Sequence, residues 1–204
     1  MKQWDQLAID ESIEKTITSL TANGITALVV DSVQDAKEKV FSLVPEGAEV
    51  MTMASITLET IGITKEINES GKYNSVKNAL MKMDRKTQSL QMQKLGAAPE
   101  YAIGSVHAVT EDGKILIASN TGSQLPAYAY ASAHVIWVVG TQKITTNLDE
   151  ATKRVYDYVL PLESEHMKQL YKVPGSNVSK LLLITKELVP GRLTMIFVKE
   201  KLGF

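Results

Sequence analysis

The chain has 204 residues, an apolar fraction of 44% and a formal net charge of −1. A chain of this length is expected to form one domain, and its nearly balanced charge argues against nucleic-acid or acidic-membrane partners. It contains no cysteine, which excludes disulfide bonds, cysteine-ligated clusters and thiol nucleophiles from this chain. Because it shows no charged leader and no apolar run of membrane-spanning length, we expect a cytoplasmic protein.

The N-terminal segment, residues 1–23, is expected to form a helix that packs on the domain. Apolar residues recur there at helical spacing, and Asn23-Gly24 is a typical helix end. The next run, at 25–30, is apolar and rich in β-branched residues. It predicts a strand buried on both faces of a parallel sheet.

A strand–helix–strand unit is completed by the following segment. Ser32 and Asp35 have the spacing of a capping box, which predicts a helix that leads to a strand at 49–53. Farther along, the pattern at 74–95 predicts one longer helix.

The second half predicts further strands at 101–110, 114–119, 134–140, 181–185 and 193–199. Asp112-Gly113 is a hairpin signal between the first two, and the residues from Asn147 to about Leu160 predict a helix. Helices and strands thus alternate along the chain. We therefore predict a single α/β domain over 1–204, with a mostly parallel sheet flanked by helices.

The polar loop after the strand at 114–119 is the clearest candidate ligand site. It consists of Asn120, Thr121, Gly122, Ser123 and Gln124. Small polar residues around a glycine allow backbone N–H groups to face a phosphate or carboxylate, and the helix that follows adds a positive dipole end. The alternative is an ordinary polar turn.

A second candidate follows the strand at 49–53. Ser55 is suited to cap a helix, and its hydroxyl would serve either that helix or a ligand. Glu59 is a candidate general base or nucleophile, although a glutamate in the first turn also complements the helix dipole. Because the ends of parallel strands meet at one crevice, both loops together favour a binding site.

A third candidate is the segment 104–111. Glu111 is either an acid or base there or a simple hairpin residue, and His107 is more typical of a core or surface histidine than of a catalyst. His134 and His166 have no partner at metal-ligand spacing, so we predict no metal site.

Several short motifs occur in a fixed order. They are Ala27-Leu28-Val29-Val30, Ser55-x-Thr57-Leu58-Glu59-x-x-Gly62, Thr110-Glu111-x-Gly113, Gly140-x-x-Lys143-Ile144, Asn147-Leu148-Asp149-Glu150-Ala151, Glu187-x-x-Pro190-Gly191-Arg192 and Val198-x-Glu200-x-Leu202-Gly203-Phe204. The set covers nearly the whole chain and resembles the LUD (lactate-utilisation domain) family. This resemblance implies a fold similar to ribose-5-phosphate isomerase, glucosamine-6-phosphate deaminase and the CoA transferases.

In such a fold three loops at strand ends would form the site, here 54–57, 104–111 and 120–124. The ligand-binding residues implied by the resemblance and the loops are Ser55, Thr57, Gly104, Thr110, Asn120, Thr121, Gly122, Ser123, Gln124, Lys143 and Arg192. Arg192 would clamp a carboxylate or phosphate, or else serve a turn. Glu59 or Glu111 would act as acid or base in any reaction.

Three departures from the family pattern narrow the expected chemistry. The first loop is not glycine-rich, and residues 104–107 lack the acidic residues of the isomerases, so isomerase activity is not expected. Residues 172–177 lack the cysteines that some relatives carry. Any iron–sulfur centre would therefore belong to a partner chain.

The leading functional hypothesis is a protein of lactate or related organic-acid utilisation that binds a small anionic metabolite at the three loops. It would hold no cofactor of its own and would act with redox partner subunits or as a homo-oligomer. The alternatives are a sugar-phosphate or acyl-CoA enzyme and a non-catalytic module that binds a partner protein.

Overall fold

Two sheets organise the computed structural model, which describes residues 4–204. Their strands are Thr26–Val30 (β1), Glu49–Thr52 (β2), Asn74–Ser75 (β3), Tyr101–Gly104 (β4), Ala108–Thr110 (β5), Ile115–Ser119 (β6), His134–Gly140 (β7), Ile144–Thr145 (β8), Lys180–Ile184 (β9) and Leu193–Val198 (β10). The larger sheet has the order β1-β10-β7-β4-β2-β3, and all of its pairs are parallel. The smaller has the order β8-β5-β6-β9 and contains the predicted hairpin, β5–β6.

The helices connect these strands. They are Asp10–Ala22 (α1), Val33–Leu43 (α2), Ile56–Thr60 (α3), Ile63–Glu69 (α4), Val76–Met81 (α5), Ser89–Ala97 (α6), Leu148–Lys153 (α7) and Leu160–Tyr171 (α8). Asn23 caps the end of α1, and the capping box of Ser32 and Asp35 begins α2, as the sequence predicts. Helix α1 covers only 10–22 of the predicted N-terminal helix, and residues 1–3 of that prediction lie outside the described part of the chain. The α/β class with a mostly parallel sheet is confirmed. No helix within residues 4–204 has the length and apolarity needed to cross a membrane.

The core lies on both faces of the larger sheet. Along β7, Val135, Trp137 and Val139 point to the smaller sheet, whereas Ile136 and Val138 pack with helices α2 to α4. This alternation follows from the two-residue period of a strand. The smaller sheet thus covers one face of the larger sheet and helices α2 to α4 cover the other, while α7 packs against the smaller sheet in a separate cluster.

Strand β1 is less buried than its sequence predicts. It pairs only with β10 and forms an edge of the larger sheet, so Thr26 and Val29 are exposed. The apolar run at 25–30 correctly predicts a strand. Its position at an edge depends on which distant segments pair with it, and the local sequence does not show this.

The prediction of one helix over 74–95 is wrong. Strand β3 occupies 74–75, and a turn separates α5 from α6. In that turn the carboxylate of Asp84 accepts hydrogen bonds from Lys86 N (2.9 Å) and Thr87 Oγ1 (2.9 Å). Such local bonds from an aspartate compete with helical pairing, and here they end the helix.

The helix predicted to end near Leu160 continues to Tyr171. A π-helical turn at Arg154–Val159 joins α7 to α8, and the Leu160 N–H bonds to Val155 O. Because Pro161 has no N–H, it would normally leave a carbonyl one turn earlier without its partner, and the wider turn allows the helix to pass it. The continuation brings α8 alongside the ends of the parallel strands.

The strand predicted over 101–110 is broken at 105–107. Strand β4 ends at Gly104 in the larger sheet, and β5 begins at Ala108 in the smaller one. The chain makes a second crossing of this kind between β7 and β8, through a 3₁₀ turn at Thr141–Lys143. These two crossings lie at the centre of the site described below.

We expect Gly104→Ala to destabilise the fold. A Cβ at this position would overlap Tyr128 Oη, and Tyr128 is fully buried with its ring edge against Trp137. Overpacking of this kind costs about 1–3 kcal/mol in the free energy of unfolding, measured by urea denaturation. Gly96→Ala is the control, because its Cβ would meet Leu80 only at 3.7 Å and helical Ala is favoured over Gly. Equal stability of Gly104→Ala and wild type would contradict this packing.

Candidate functional site

A cleft of about 370 Å³ opens at the carboxyl ends of the parallel strands. Its walls come from the segment after β2, the crossing from β4 to β5, the loop after β6, helix α8 and the last residues of the chain. This is where open parallel sheets generally bind ligands, because loops from neighbouring strands converge there. The cleft brings together residues from all three loops that the sequence singles out.

Lys143 forms the floor of the cleft and is almost fully buried. Its Nζ donates hydrogen bonds to Ser105 Oγ (3.1 Å), Val106 O (3.1 Å) and Thr57 Oγ1 (3.4 Å). Burial lowers the pKa of Lys143 from its usual 10.5 to about 7, and the positive charge of Arg154 contributes in the same direction. The side chain therefore changes charge near neutral pH.

The topology of the two sheets explains why Lys143 lies there. Strands β4 and β7 are neighbours in the larger sheet, and β5 and β8 are neighbours in the smaller one. The chain thus leaves one sheet for the other twice, side by side. The segment 105–107 consequently lies against Thr141–Lys143, and the lysine side chain is enclosed between the crossings.

The C-terminal segment covers this floor. Leu202 O accepts hydrogen bonds from Gln142 Nε2 (2.8 Å) and Thr57 Oγ1 (3.3 Å). Gly203 has a φ of +63°, and a Cβ there would lie 2.6 Å from Thr57 Oγ1. Only glycine permits this approach of the backbone to Thr57 and Lys143.

Arg154 is a second buried cation beside the floor, and the sequence analysis missed it. Its Nη1 donates to His107 O, the carbonyl next to the one that Lys143 binds, and its guanidinium lies 5.3 Å from the ring centre of Tyr158. Within residues 4–204, its Nε and Nη2 have no hydrogen-bond partner. Burial lowers the pKa of Arg154 to about 10, so it remains charged at neutral pH.

Within residues 4–204, neither cation is paired with an acid. In the part of the chain that the structure describes, no carboxylate lies within 4.0 Å of Lys143 Nζ or of the Arg154 guanidinium. Buried charges are usually paired, since desolvation without a partner is costly. Among the described residues, the cleft therefore has one basic side chain in its lining, Lys143, and a second beside it, Arg154, without an acidic partner for either.

His107 lines the cleft between these cations as a neutral imidazole. Its Nδ1 accepts a hydrogen bond from Ala118 N (3.1 Å), which places the proton of the neutral ring on Nε2. Burial and the charges of Lys143 and Arg154 lower the pKa of His107 to about 3. His107 is therefore a hydrogen-bond donor to the cleft and not an acid–base group at neutral pH.

Helix α8 supplies an acidic wall that the sequence analysis did not foresee. Glu163 Oε2 lies 3.6 Å from His166 Nδ1, and the Phe204 ring packs edge-on against His166. Burial raises the pKa of Glu163, and the negative charge of Glu59 adds to this. Glu163 was missed because the predicted helix stopped before it.

The first loop supplies both capping and cleft-lining groups. Ser55 Oγ accepts a hydrogen bond from Leu58 N and caps α3, while Ser55 itself also lines the cleft. Thr57 is buried, and Glu59 lies exposed on the cleft wall.

The third loop presents side chains to the cleft. Asn120, Thr121, Ser123 and Gln124 line it, whereas the N–H of Gly122 bonds to Ser119 Oγ (2.8 Å) and that of Ser123 to Thr121 Oγ1 (3.3 Å). These two backbone N–H groups, which the loop composition suggested would face a ligand, therefore bond within the loop. Hydroxyl and amide side chains are what a ligand would meet.

Glu111 and Thr110 lie away from the cleft. The Glu111 carboxylate accepts hydrogen bonds from Ser12 Oγ (2.7 Å) and Lys15 Nζ (2.9 Å), which lower its pKa and tie helix α1 to the hairpin. Thr110 Oγ1 bonds to Asp112 and Lys114 within the hairpin turn. Gly104 is buried in β4 against Tyr128.

Arg192 also lies outside the cleft lining, in a buried network. Its Nε donates to Glu187 Oε2 (2.7 Å), and its terminal nitrogens donate to Tyr128 O (2.8 Å) and Ser132 O (3.2 Å). These bonds attach the strap before β10 to the segment before β7. The guanidinium thus already has a carboxylate partner.

Comparison with known proteins places the chain in a family. The family model described as LUD domain matches residues 13–198, so the chain belongs to the LUD domain family. A crystal structure of a DUF162 family protein from Deinococcus radiodurans has the same fold, with a TM-score of 0.60 and 12% identity over 95% of this chain and 99% of that one.

A structure of eIF2B beta from Chaetomium thermophilum gives a TM-score of 0.39 at 12% identity, over 58% of this chain and 44% of that one, which is too low to support an argument. No curated protein sequence matches this chain.

We expect Arg192→Met to destabilise the protein by about 3–5 kcal/mol, because it removes the cation from Glu187, whose side chain is only 10% exposed, and the donors from several carbonyls. Urea unfolding measures this loss. Arg85→Met, at an exposed position, should change the free energy of unfolding by less than about 0.5 kcal/mol. A loss below about 1 kcal/mol for Arg192→Met would show that the network contributes little.

Proposed function

We propose that this protein binds a small organic-acid anion in the cleft above Lys143. The observation that carries the proposal is the pair of buried cations, Lys143 and Arg154, for which the described chain provides no acidic partner. A bound carboxylate would compensate part of the cost of burying these charges. A low-dielectric floor also strengthens such an attraction relative to water.

The walls of the cleft suit recognition of a polar metabolite. Hydroxyl and amide groups of the third loop, together with Ser55 and the His107 Nε2–H, provide hydrogen-bond donors around the floor. A few polar groups placed in this way fix the orientation of a small ligand in its pocket. The cleft volume of about 370 Å³ accommodates a compact ligand.

The wider role that we propose is the utilisation of lactate or a related organic acid. Membership of the LUD domain family supports it. The chain has no cysteine, so a cysteine-ligated redox centre would have to be held by a partner subunit. Co-purification of the tagged protein with an iron–sulfur subunit from its host would support this role, and recovery only of the chain itself would argue against it.

A second candidate function is an acyl-CoA or sugar-phosphate enzyme. The raised pKa of Glu163, close to Glu59 and His166 in the cleft, favours it, because a carboxyl group of this kind can act as a general acid. Turnover of a CoA ester or phosphosugar that is lost in Glu163→Gln would establish this alternative.

We expect Lys143→Met to weaken the binding of L-lactate or pyruvate by about 10- to 100-fold, since a hydrogen bond to a charged group contributes about 1.5–3 kcal/mol. Isothermal titration calorimetry measures the affinity, and thermal unfolding of each free variant verifies its fold. Lys153→Met is the matched control, because Lys153 is exposed in α7 and lies next to Arg154 in sequence. Unchanged affinity in Lys143→Met would contradict the proposal.

The affinity for an anion should fall as the pH rises through about 7, where Lys143 loses its proton. Lys143 is cationic below this pKa and attracts the ligand, and it is neutral above it. The variant Lys143→Arg keeps its charge, so its affinity should be nearly constant over the same window. His107 does not contribute, because its pKa is about 3. A flat profile for wild type would show that Lys143 does not titrate there.

A further inference from the structure

A lysine at the closed end of an anion site has a second use as a nucleophile. We infer that Lys143 attacks the carbonyl carbon of a 2-oxo acid held in the cleft and forms an imine with it. The inference rests on the proposed anion site and deepens it, because it identifies the ligand class as organic acids that carry a carbonyl group next to the carboxylate.

The contacts of Lys143 permit a neutral amine. All three of its hydrogen-bond partners, Ser105 Oγ, Val106 O and Thr57 Oγ1, are uncharged. The residue is only 4% exposed, and it lines the cleft in which the ligand would lie. The Ser105 hydroxyl can accept from the ammonium or donate to the lone pair of the amine, so both protonation states have partners.

The positive charge of Arg154 disfavours a positive charge on the neighbouring Lys143. Lys143 and Arg154 bind the consecutive carbonyls of Val106 and His107, which fixes the two cations in one neighbourhood. The fall in the pKa of Lys143 to about 7 agrees with this arrangement, because burial and Arg154 both disfavour the charged form.

Other lysines of the chain have the opposite environment. Lys15 pairs with Glu111, and Lys199 pairs with Asp10. Each lies at the surface beside a carboxylate that raises the pKa of the lysine. Such amines remain protonated at neutral pH and are poor nucleophiles, which makes Lys143 the reactive amine among these lysines.

The reaction balances without an oxidant or reductant. The lone pair of Lys143 Nζ forms a bond to the carbonyl carbon, the electrons of the C=O π bond move to oxygen, and the nitrogen gives up a proton as that oxygen gains one. The resulting hydroxyl then leaves as water while the C=N bond forms. Glu163 lines the same cleft and is suited to supply the proton for the departing water, since its raised pKa favours the protonated form.

Borohydride trapping tests the inference. The full-length chain is incubated with pyruvate and sodium cyanoborohydride, and its peptides are mapped by mass spectrometry. We expect one reduced adduct on Lys143, none with L-lactate, none in Lys143→Arg, and the same adduct in Lys153→Met. At saturating pyruvate, where the fall in anion affinity does not limit occupancy, the rate of labelling should rise with pH through about 7 as Lys143 loses its proton.

The outcomes separate this inference from the anion site. Binding of both pyruvate and L-lactate without an adduct on Lys143 would overturn the imine and leave the anion site standing. Absence of binding and of adduct would overturn both. Labelling of the wild type that is spread over exposed lysines and absent from Lys143 would also overturn the imine, and because this mapping uses wild type alone, the result does not depend on a variant folding.

Discussion

The hydrogen bonds of the Lys143 side chain are the interaction on which the site depends. They join the crossing from β4 to β5 to the turn after β7 and to Thr57 at the start of α3. Each of these segments comes from a different part of the chain. Buried carbonyl and hydroxyl oxygens need hydrogen-bond donors, and the Lys143 side chain supplies them here. The same nitrogen is titratable and lies at the base of the cleft.

The strand order places this interaction at the centre of the molecule. Two neighbouring strands, β4 and β7, leave the larger sheet and continue as neighbours, β5 and β8, in the smaller one. The space between the two sheets therefore opens where the strands diverge. This opening is the cleft, and its polar floor follows from the unpaired strand ends that meet there.

Groups of both signs surround the cleft within the described chain. Arg154 donates to the carbonyl of His107, His107 remains neutral, and the acidic lining residues are Glu59 on α3 and Glu163 on α8. A ligand with one anionic end and one reactive or polar end matches this separation of a basic floor from an acidic wall. Binding and chemistry would then use the two sides of the same cleft.

Much of the architecture could be predicted from local patterns. The capping box of Ser32 and Asp35 and the hairpin at Asp112-Gly113 each encode their own local structure, and both occur as expected. The polar loop at 120–124 lines the cleft, although the N–H groups of Gly122 and Ser123 bond within the loop. Such features need no knowledge of distant segments. The convergence of strand-end loops at one cleft follows from parallel pairing alone.

The remaining features depend on tertiary pairing, which single-sequence patterns do not contain. The break after Gly104 interrupts an otherwise continuous strand pattern, and the π turn before Pro161 overrides a residue that normally ends a helix. In the sequence, Arg154 has the pattern of a surface residue on an amphipathic helix, and its burial follows from the packing of α7 against β5. Conversely, Arg192 belongs to one of the motifs of the family resemblance and was predicted to bind a ligand, but in the structure its guanidinium donates to Glu187.

The most direct measurement of the central claim is the pKa of Lys143 in solution. Protein labelled with ¹³C at the lysine ε-carbon is titrated by NMR, and the Lys143 signal is assigned by its loss in Lys143→Met. The account predicts a midpoint near 7, well below the usual 10.5. A midpoint close to 10.5 would show that Lys143 is an ordinary ammonium, and it would contradict the picture of an unpaired, buried cation at the base of the cleft.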